Sequence, residues 1–193
     1  FGEALYRALE SRGLIGQLQL FCETRVDMAW REPFKWLKRA GLHLVFLGIE
    51  TPNRQLLKQE GKLVKGAYDS KLAVETLASL GLRTYGLFVI GLDGETPEDR
   101  RVLGAFARSL PLDVASFGIY TTYAGSPAQR RSGVPDEGAL RETNWAVDSE
   151  LARDQRRLMR QFYLRPGLIA RHLWRREITF DRLALGAWSM VSP

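Results

Sequence analysis

The chain has 193 residues, 45% hydrophobic and 26% charged, with a formal net charge of +6. Those proportions belong to a globular domain able to bury its own core. The charge is unevenly placed: residues 1–150 hold 19 Lys/Arg and 19 Asp/Glu, whereas residues 151–193 hold nine Arg against three acids. The excess therefore sits in the tail, which argues against a nucleic-acid groove across the main part. Cys22 is the only cysteine, so an internal disulfide framework is excluded. His43 and His172 are too far apart to suggest a local zinc site. The longest apolar runs, Leu44–Ile49 and Gly86–Leu92, fall well short of the roughly 20 residues that span a membrane. No secretory signal precedes the first helix, and the expectation is a cytoplasmic protein.

Phe1–Gly13 reads as a helix that ends at a glycine but lacks a capping residue before it, so the native product is expected to extend upstream. Gln17–Thr24 alternates as a strand and leads into Arg25-Val26-Asp27. A helix over Arg31–Gly41 places Phe34, Leu37 and Ala40 on one face. His43–Glu50 is a buried strand, followed by a short helix at Arg54–Gln59 and a Lys/Gly-rich loop. Tyr68–Gly81 is a helix with Leu72, Leu77 and Leu80 inward. Thr84–Leu92 is a strand apolar on both faces, and Gly91 and Gly94 break it. Thr96 suits an N-cap, Pro97 the first helical position, and Glu98 and Asp99 the positive end of the helix dipole. The helix runs to Leu110, and Asp113–Tyr120 is the last strand.

Strands alternating with helices imply an α/β fold with a parallel sheet and right-handed crossovers. Polar residues gather where the strands end: Glu23 and Arg25, then Glu50, Asp93 and Glu95, and Thr121 to Tyr123. That is the arrangement of an α/β ligand-binding face. In the tail, Leu151, Leu158, Met159 and Phe162 follow helical spacing, with Arg153, Arg156, Arg157 and Arg160 opposite. Leu168–Arg176 begins another helix, and Thr179 is placed to cap a third carrying Leu183 and Trp188. A solvated basic face over an apolar stripe is the default reading of this tail.

Four motifs in order, Cys22-Glu-Thr-Arg-Val-Asp27, Leu47-Gly-Ile-Glu50, Gly86–Thr96 and Thr122-Tyr-Ala-Gly-Ser-Pro127, carry a resemblance. Their order and spacing are similar to those of the radical S-adenosylmethionine superfamily. The branch they resemble most often carries a cobalamin-binding domain before the radical domain. The resemblance covers residues 1 to about 133 and implies the C-terminal two-thirds of a partial (β/α) barrel, its last four strands. Residues 134–193 would form a helical, Arg-rich tail. The superfamily's C-x-x-x-C-x-x-C motif is absent from this sequence. Cys22 alone cannot hold a 4Fe–4S cluster, which needs three thiolates. Asp93, Thr51, Ala124 and Ser126 also depart from the branch's usual residues.

By the resemblance, the cofactor is S-adenosylmethionine, with the cluster, and in that branch cobalamin, held by upstream parts of the same protein. Glu50 matches an acidic motif position and would bind ammonium or hydroxyl donors; pairing with Lys58 or Arg54 is the alternative. Arg25 matches the motif arginine and would orient the ligand carboxylate or Glu50, or else pair with Asp27 or Glu23. Lys62 lies where relatives carry a basic loop residue. Ile90, Gly91 and Leu92 match the adenine-side strand, and Tyr123 lies on the substrate side. Cys22 reads as a small buried hydrophobe and Glu95 as a helix-capping acid.

The parent protein is thus expected to act on a small molecule, generating a 5′-deoxyadenosyl radical and, with cobalamin, transferring methyl groups. An RNA-modifying methylthiotransferase-like protein, whose basic tail touches RNA, is one alternative. A cluster-free binding or partner domain is the other. The chain alone is expected to be inactive, and iron reconstitution should yield no cluster absorbance; a stable cluster would contradict the cysteine argument.

Overall fold

In a computed structural model, residues 1–29, 32–61, 69–120 and 150–175 are described. The chain divides into two compact units, Phe1–Gly118 and Ile119–Pro193. The first is built from α1 (Gly2–Glu10), β1 (Leu20–Arg25), α2 (Pro33–Arg39), β2 (Leu42–Glu50), α3 (Arg54–Gln59), α4 (Ser70–Ser79), β3 (Arg83–Ile90) and α5 (Pro97–Ser109). β4 (Val114–Ile119) completes one four-stranded parallel sheet in the order β1-β2-β3-β4.

Sequential parallel order has a geometric consequence. Right-handed crossovers between neighbours that always step the same way put every connecting helix on one side of the sheet. The two faces of the sheet therefore differ. On the helix side lie Val45, Leu47 and Ile49 of β2, Thr84, Phe88 and Ile90 of β3, and Ala115 and Phe117 of β4, all nearly or fully buried. α2 packs against β2 and α4 against β3, and Leu77 and Leu103 supply fully buried side chains to this layer. Phe88 and Phe117 stack with centroids 5.2 Å apart. Gly86 belongs to the same layer, and a Cβ there would meet Leu112 Cδ1 at 2.6 Å and Phe88 Cε2 at 2.9 Å. The core is closed against even one added carbon at that point.

The opposite face is only half covered. Its residues are Phe21, Glu23 and Arg25 of β1, Leu44, Phe46 and Gly48 of β2, with the Glu50 side chain over Gly48, and Arg83, Tyr85, Leu87 and Val89 of β3. Near the strand starts, Phe21, Phe46 and Tyr85 form an aromatic row: Phe46 stacks on Tyr85 at 4.8 Å and Phe21 meets Phe46 edge-on at 6.1 Å. Four residues further along, about 13 Å at strand rise, the same face carries Arg25 and Glu50. This face carries an aromatic row near the strand starts, with Arg83 opposite Leu44 beside it, and charged Arg25 and Glu50 at the rim.

Helix ends follow the expected chemistry. Thr96 accepts from the Asp99 N–H while Asp99 accepts from the Thr96 N–H, so α5 opens with a capping box and Pro97 at its first turn. Gly41 holds φ +105°, and a Cβ there would lie 2.5 Å from the Leu18 carbonyl oxygen, so only glycine fits between α2 and β2. β1 starts at Leu20 rather than Gln17, because the preceding residues turn at Gly13 and Gly16, both at positive φ. α4 turns Ser70, Ala73, Val74 and Leu77 inward, an i, i+3, i+4, i+7 set. Leu72 falls off that stripe and is 48% exposed, contrary to the inward position expected of it.

The second unit contains α6 (Glu150–Tyr163) and α7 (Pro166–Trp174). Leu158 and Phe162 are buried as their spacing predicted, while Arg153, Arg156, Arg157 and Arg160 lie off that stripe. Asp154 joins the buried stripe and pairs with Arg157 at 2.8 Å. Arg165 closes the turn between the helices, donating to the Phe162 carbonyl at 2.8 Å and lying over its ring. The helix predicted after Thr179 lies outside the described residues.

Candidate functional site

The end of β2 carries the one backbone feature that local preference does not explain. Glu50 has φ +64°, the only non-glycine in the left-handed region among the described residues. The pairing of β2 with β3 slips by one residue between Gly48 and Glu50, so the strand bulges there. A left-handed glutamate costs roughly 1–2 kcal/mol relative to ordinary backbone, and such costs concentrate where a side chain must be aimed. The carboxylate is aimed back over the open face: Glu50 Oε1 lies 3.6 Å from where a Gly48 Cβ would stand. Gly48 keeps that space clear. Thr51 behind it is buried and accepts from the Asn53 N–H at 3.3 Å, fixing the exit of the strand.

Arg25, at the rim of β1, is in register with Gly48 and lies on the same face as Glu50. Its guanidinium is engaged by Asp27, donating from Nε to Oδ1 at 3.0 Å and from Nη2 to Oδ2 at 3.4 Å. The fork is planar and two-pronged, which fixes its direction; with Arg25 largely exposed, the pair adds little to stability. The Asp27 pairing expected as one reading of Arg25 is present. Glu23 accompanies it on the exposed side of β1.

The turn after β3 forms the neighbouring wall. Gly91 and Gly94 both adopt positive φ, at +82° and +81°. Ile90 is fully buried on the helix side and Leu92 is 7% exposed, so both side chains face protein. What this turn presents outward is the half-buried backbone at Gly91 and, just before it, Val89 on the open face. Strand alternation points to Val89 once the register is known, but a strand that is apolar on both faces does not reveal its phase.

Glu95 does not cap α5; Thr96 does. The Glu95 side chain is 1% exposed and reaches back across the turn, where Oε2 accepts from the Gly91 N–H. Arg100, also buried, brings Nη1 to 3.5 Å from the same oxygen. Burial pushes the Glu95 carboxyl above the usual carboxylate range, against the Gly91 N–H and Arg100, which pull it down. Its second oxygen, Oε1, is buried without a hydrogen bond. The turn is thus held from inside by one carboxylate.

Lys62 and Tyr123 lie outside the described residues. Cys22 sits half-buried in β1 rather than in the core expected of it, and burial pushes its thiol up. Among the described residues no group of three His, Cys, Asp or Glu could hold a metal. With one thiol in the whole sequence, this chain's residues do not fit a 4Fe–4S cluster. They do bring together an aimed carboxylate, half-buried glycine backbone and apolar side chains at one end of the sheet.

No protein-family model matches the chain. It is 35% identical over 103 residues to an uncharacterized methyltransferase of Pyrococcus horikoshii, covering 53% of this chain and 22% of that protein. It is 30% identical over 145 residues to the hopanoid C-2 methylase of Rhodopseudomonas palustris, covering 72% of this chain and 27% of that protein. In structure it is similar to the radical S-adenosylmethionine methyltransferase TsrM of Kitasatospora setae, solved with cobalamin and a [4Fe-4S] cluster bound. That match has a TM-score of 0.58 at 20% identity and covers 83% of this chain and 34% of that one. The chain thus spans about a quarter of the curated relatives that it matches. Its sheet and helices have the fold of radical S-adenosylmethionine barrels, and it resembles the C-terminal part of that superfamily.

Proposed function

We propose that this chain forms the adenosyl-binding side of a radical S-adenosylmethionine methyltransferase, the remaining strands and the cluster being supplied elsewhere in the protein. Glu50 carries the reading. Its carboxylate accepts from hydroxyl or ammonium donors of the ligand, and the cost of its backbone is the cost of aiming it. The Gly91 turn lets the ligand approach main chain, and Val89 and Leu87 supply the apolar surface against which a base can lie. Arg25, held by Asp27, sets the charge at the rim. When bound, S-adenosylmethionine supplies the alkyl groups of the chemistry; this chain's residues bind and orient it and keep water from one side. Lys62 and Tyr123 are proposed as a further basic contact and a substrate-side contact.

The reaction class rests on the relatives, which are methyltransferases in name. A cobalamin-dependent transfer to a small molecule is the finer reading, supported by TsrM. The test is calorimetric titration of the chain with S-adenosylhomocysteine. Glu50→Gln keeps the shape and removes the charge, and roughly 10-fold weaker binding is expected, the value of one charge-assisted hydrogen bond. Equal affinity in the variant overturns the role of Glu50; no binding by the parent sequence overturns the reading itself. The single cysteine favours a second reading, a cluster-free domain that binds the same ligand without chemistry. The coding sequence upstream of Phe1 separates the two: an in-frame C-x-x-x-C-x-x-C supports the enzyme.

A further inference from the structure

A side-chain hydrogen bond links the two loops that carry the proposed ligand contacts. Asn53 Nδ2 donates to Asp99 Oδ1 at 2.8 Å, across 46 positions of sequence. Each residue also serves its own helix. Asn53 Oδ1 accepts from the Gln55 N–H at 2.9 Å and the Leu56 N–H at 3.3 Å, capping α3. Asp99 Oδ2 accepts from the Thr96 N–H at 2.9 Å and the Thr96 hydroxyl at 2.6 Å, closing the capping box of α5. Each side chain therefore gives one polar atom to its helix and the other to its counterpart.

The capping duties do not require this contact. Serine at 53 would cap α3 as well, and glutamate or glutamine at 99 would serve a capping box. What the pair adds is a fixed spacing between the loop that leaves Glu50 and the loop that follows Gly91. We propose that Asn53 and Asp99 are positioning residues that set the gap between the Glu50 carboxylate and the Gly91 backbone, and so the affinity for the adenosyl group. This inference rests on the functional reading above. The hydrogen bonds from Thr96 and Asn53 hold the Asp99 carboxyl below the usual range, so it is an ionised acceptor at neutral pH.

The geometry permits an exchange of roles. In Asn53→Asp, the cap of α3 survives on one oxygen, but the other faces the Asp99 carboxylate and repels it. In Asp99→Asn, the amide oxygen keeps the capping box, and its NH₂ faces the NH₂ of Asn53. With both substitutions, the new amide at position 99 donates to the new carboxylate at position 53, and the bond returns reversed. Each single variant should weaken S-adenosylhomocysteine binding by roughly 3- to 30-fold, the range of a close coupled pair. The double variant should recover the parent affinity to within a few fold. Hydrogen exchange should quicken in the single variants at the amides following Glu50 and at Gly91–Glu95 together, and return in the double variant. Parent-like affinity in N53D, or a double variant no better than N53D, overturns the proposal. If the parent chain binds no S-adenosylhomocysteine, the functional reading fails. Unchanged exchange at Gly91–Glu95 in N53D would then overturn the coupling on its own.

Discussion

Replacing Glu95 by alanine should lower unfolding free energy by about 3 kcal/mol, because it orphans the Gly91 N–H and removes the buried carboxylate that Arg100 approaches. Glutamine keeps an oxygen for the Gly91 N–H and removes a charge that burial disfavours, so it should cost much less than alanine. Urea unfolding of the two variants against the parent measures both, and equal losses would show that the hydrogen bond is not what holds the turn. The pH dependence has a definite sign. A carboxyl raised on folding contributes stability below its ordinary value and loses it as pH rises through the raised one. The parent should therefore shed this contribution as pH rises from the ordinary carboxylate range through the raised value, and Glu95→Gln should lack that slope. Asp99 runs the other way: its lowered carboxyl stabilises above the ordinary value and loses that only as pH falls through the lowered one.

Glu50 should separate stability from binding. Glu50→Ala and Glu50→Gly both remove the carboxylate, and they differ in what φ +64° costs them. Alanine keeps a Cβ in the left-handed region at roughly 1–2 kcal/mol, and glycine escapes that but loses up to about 1 kcal/mol to unfolded-state entropy. Glycine should therefore be the more stable of the two by about 1 kcal/mol. Both should bind S-adenosylhomocysteine at least roughly 10-fold more weakly than the parent. A glycine variant that binds normally would mean that the backbone, not the carboxylate, is the feature that matters. A glycine variant no more stable than alanine would mean that the bulge carries no strain.

The order of strands and helices was legible because glycine stops, Thr96-Pro97 and alternating apolar runs are local signals. Helix ends were legible for the same reason: a cap touches residues three positions away. Phase was not. Thr84–Leu92 is apolar on both faces, so its sequence could not say that Ile90 points to the helices and Val89 to the open side. Leu72 was misplaced because α4 uses the small residues Ala73 and Val74 for its inward face. Glu50 was found through its motif, but its left-handed backbone follows from a bulge that only the register with β3 reveals. Glu95 looked like one more acid at a helix start. Its reversal toward Gly91 depends on two glycines at positive φ folding the turn back on itself. The Asn53–Asp99 bond joins residues that are only capping signals when read alone.

The most direct test of the adenosyl-binding role is amide chemical-shift mapping of the isotope-labelled chain titrated with S-adenosylhomocysteine. Saturable shifts should cluster at Gly48–Thr51 and Val89–Leu92, on one face of the sheet, and should be lost in Glu50→Gln. Saturable binding whose shifts fall on α6 and α7 instead, or no shifts at saturating ligand, would contradict that role.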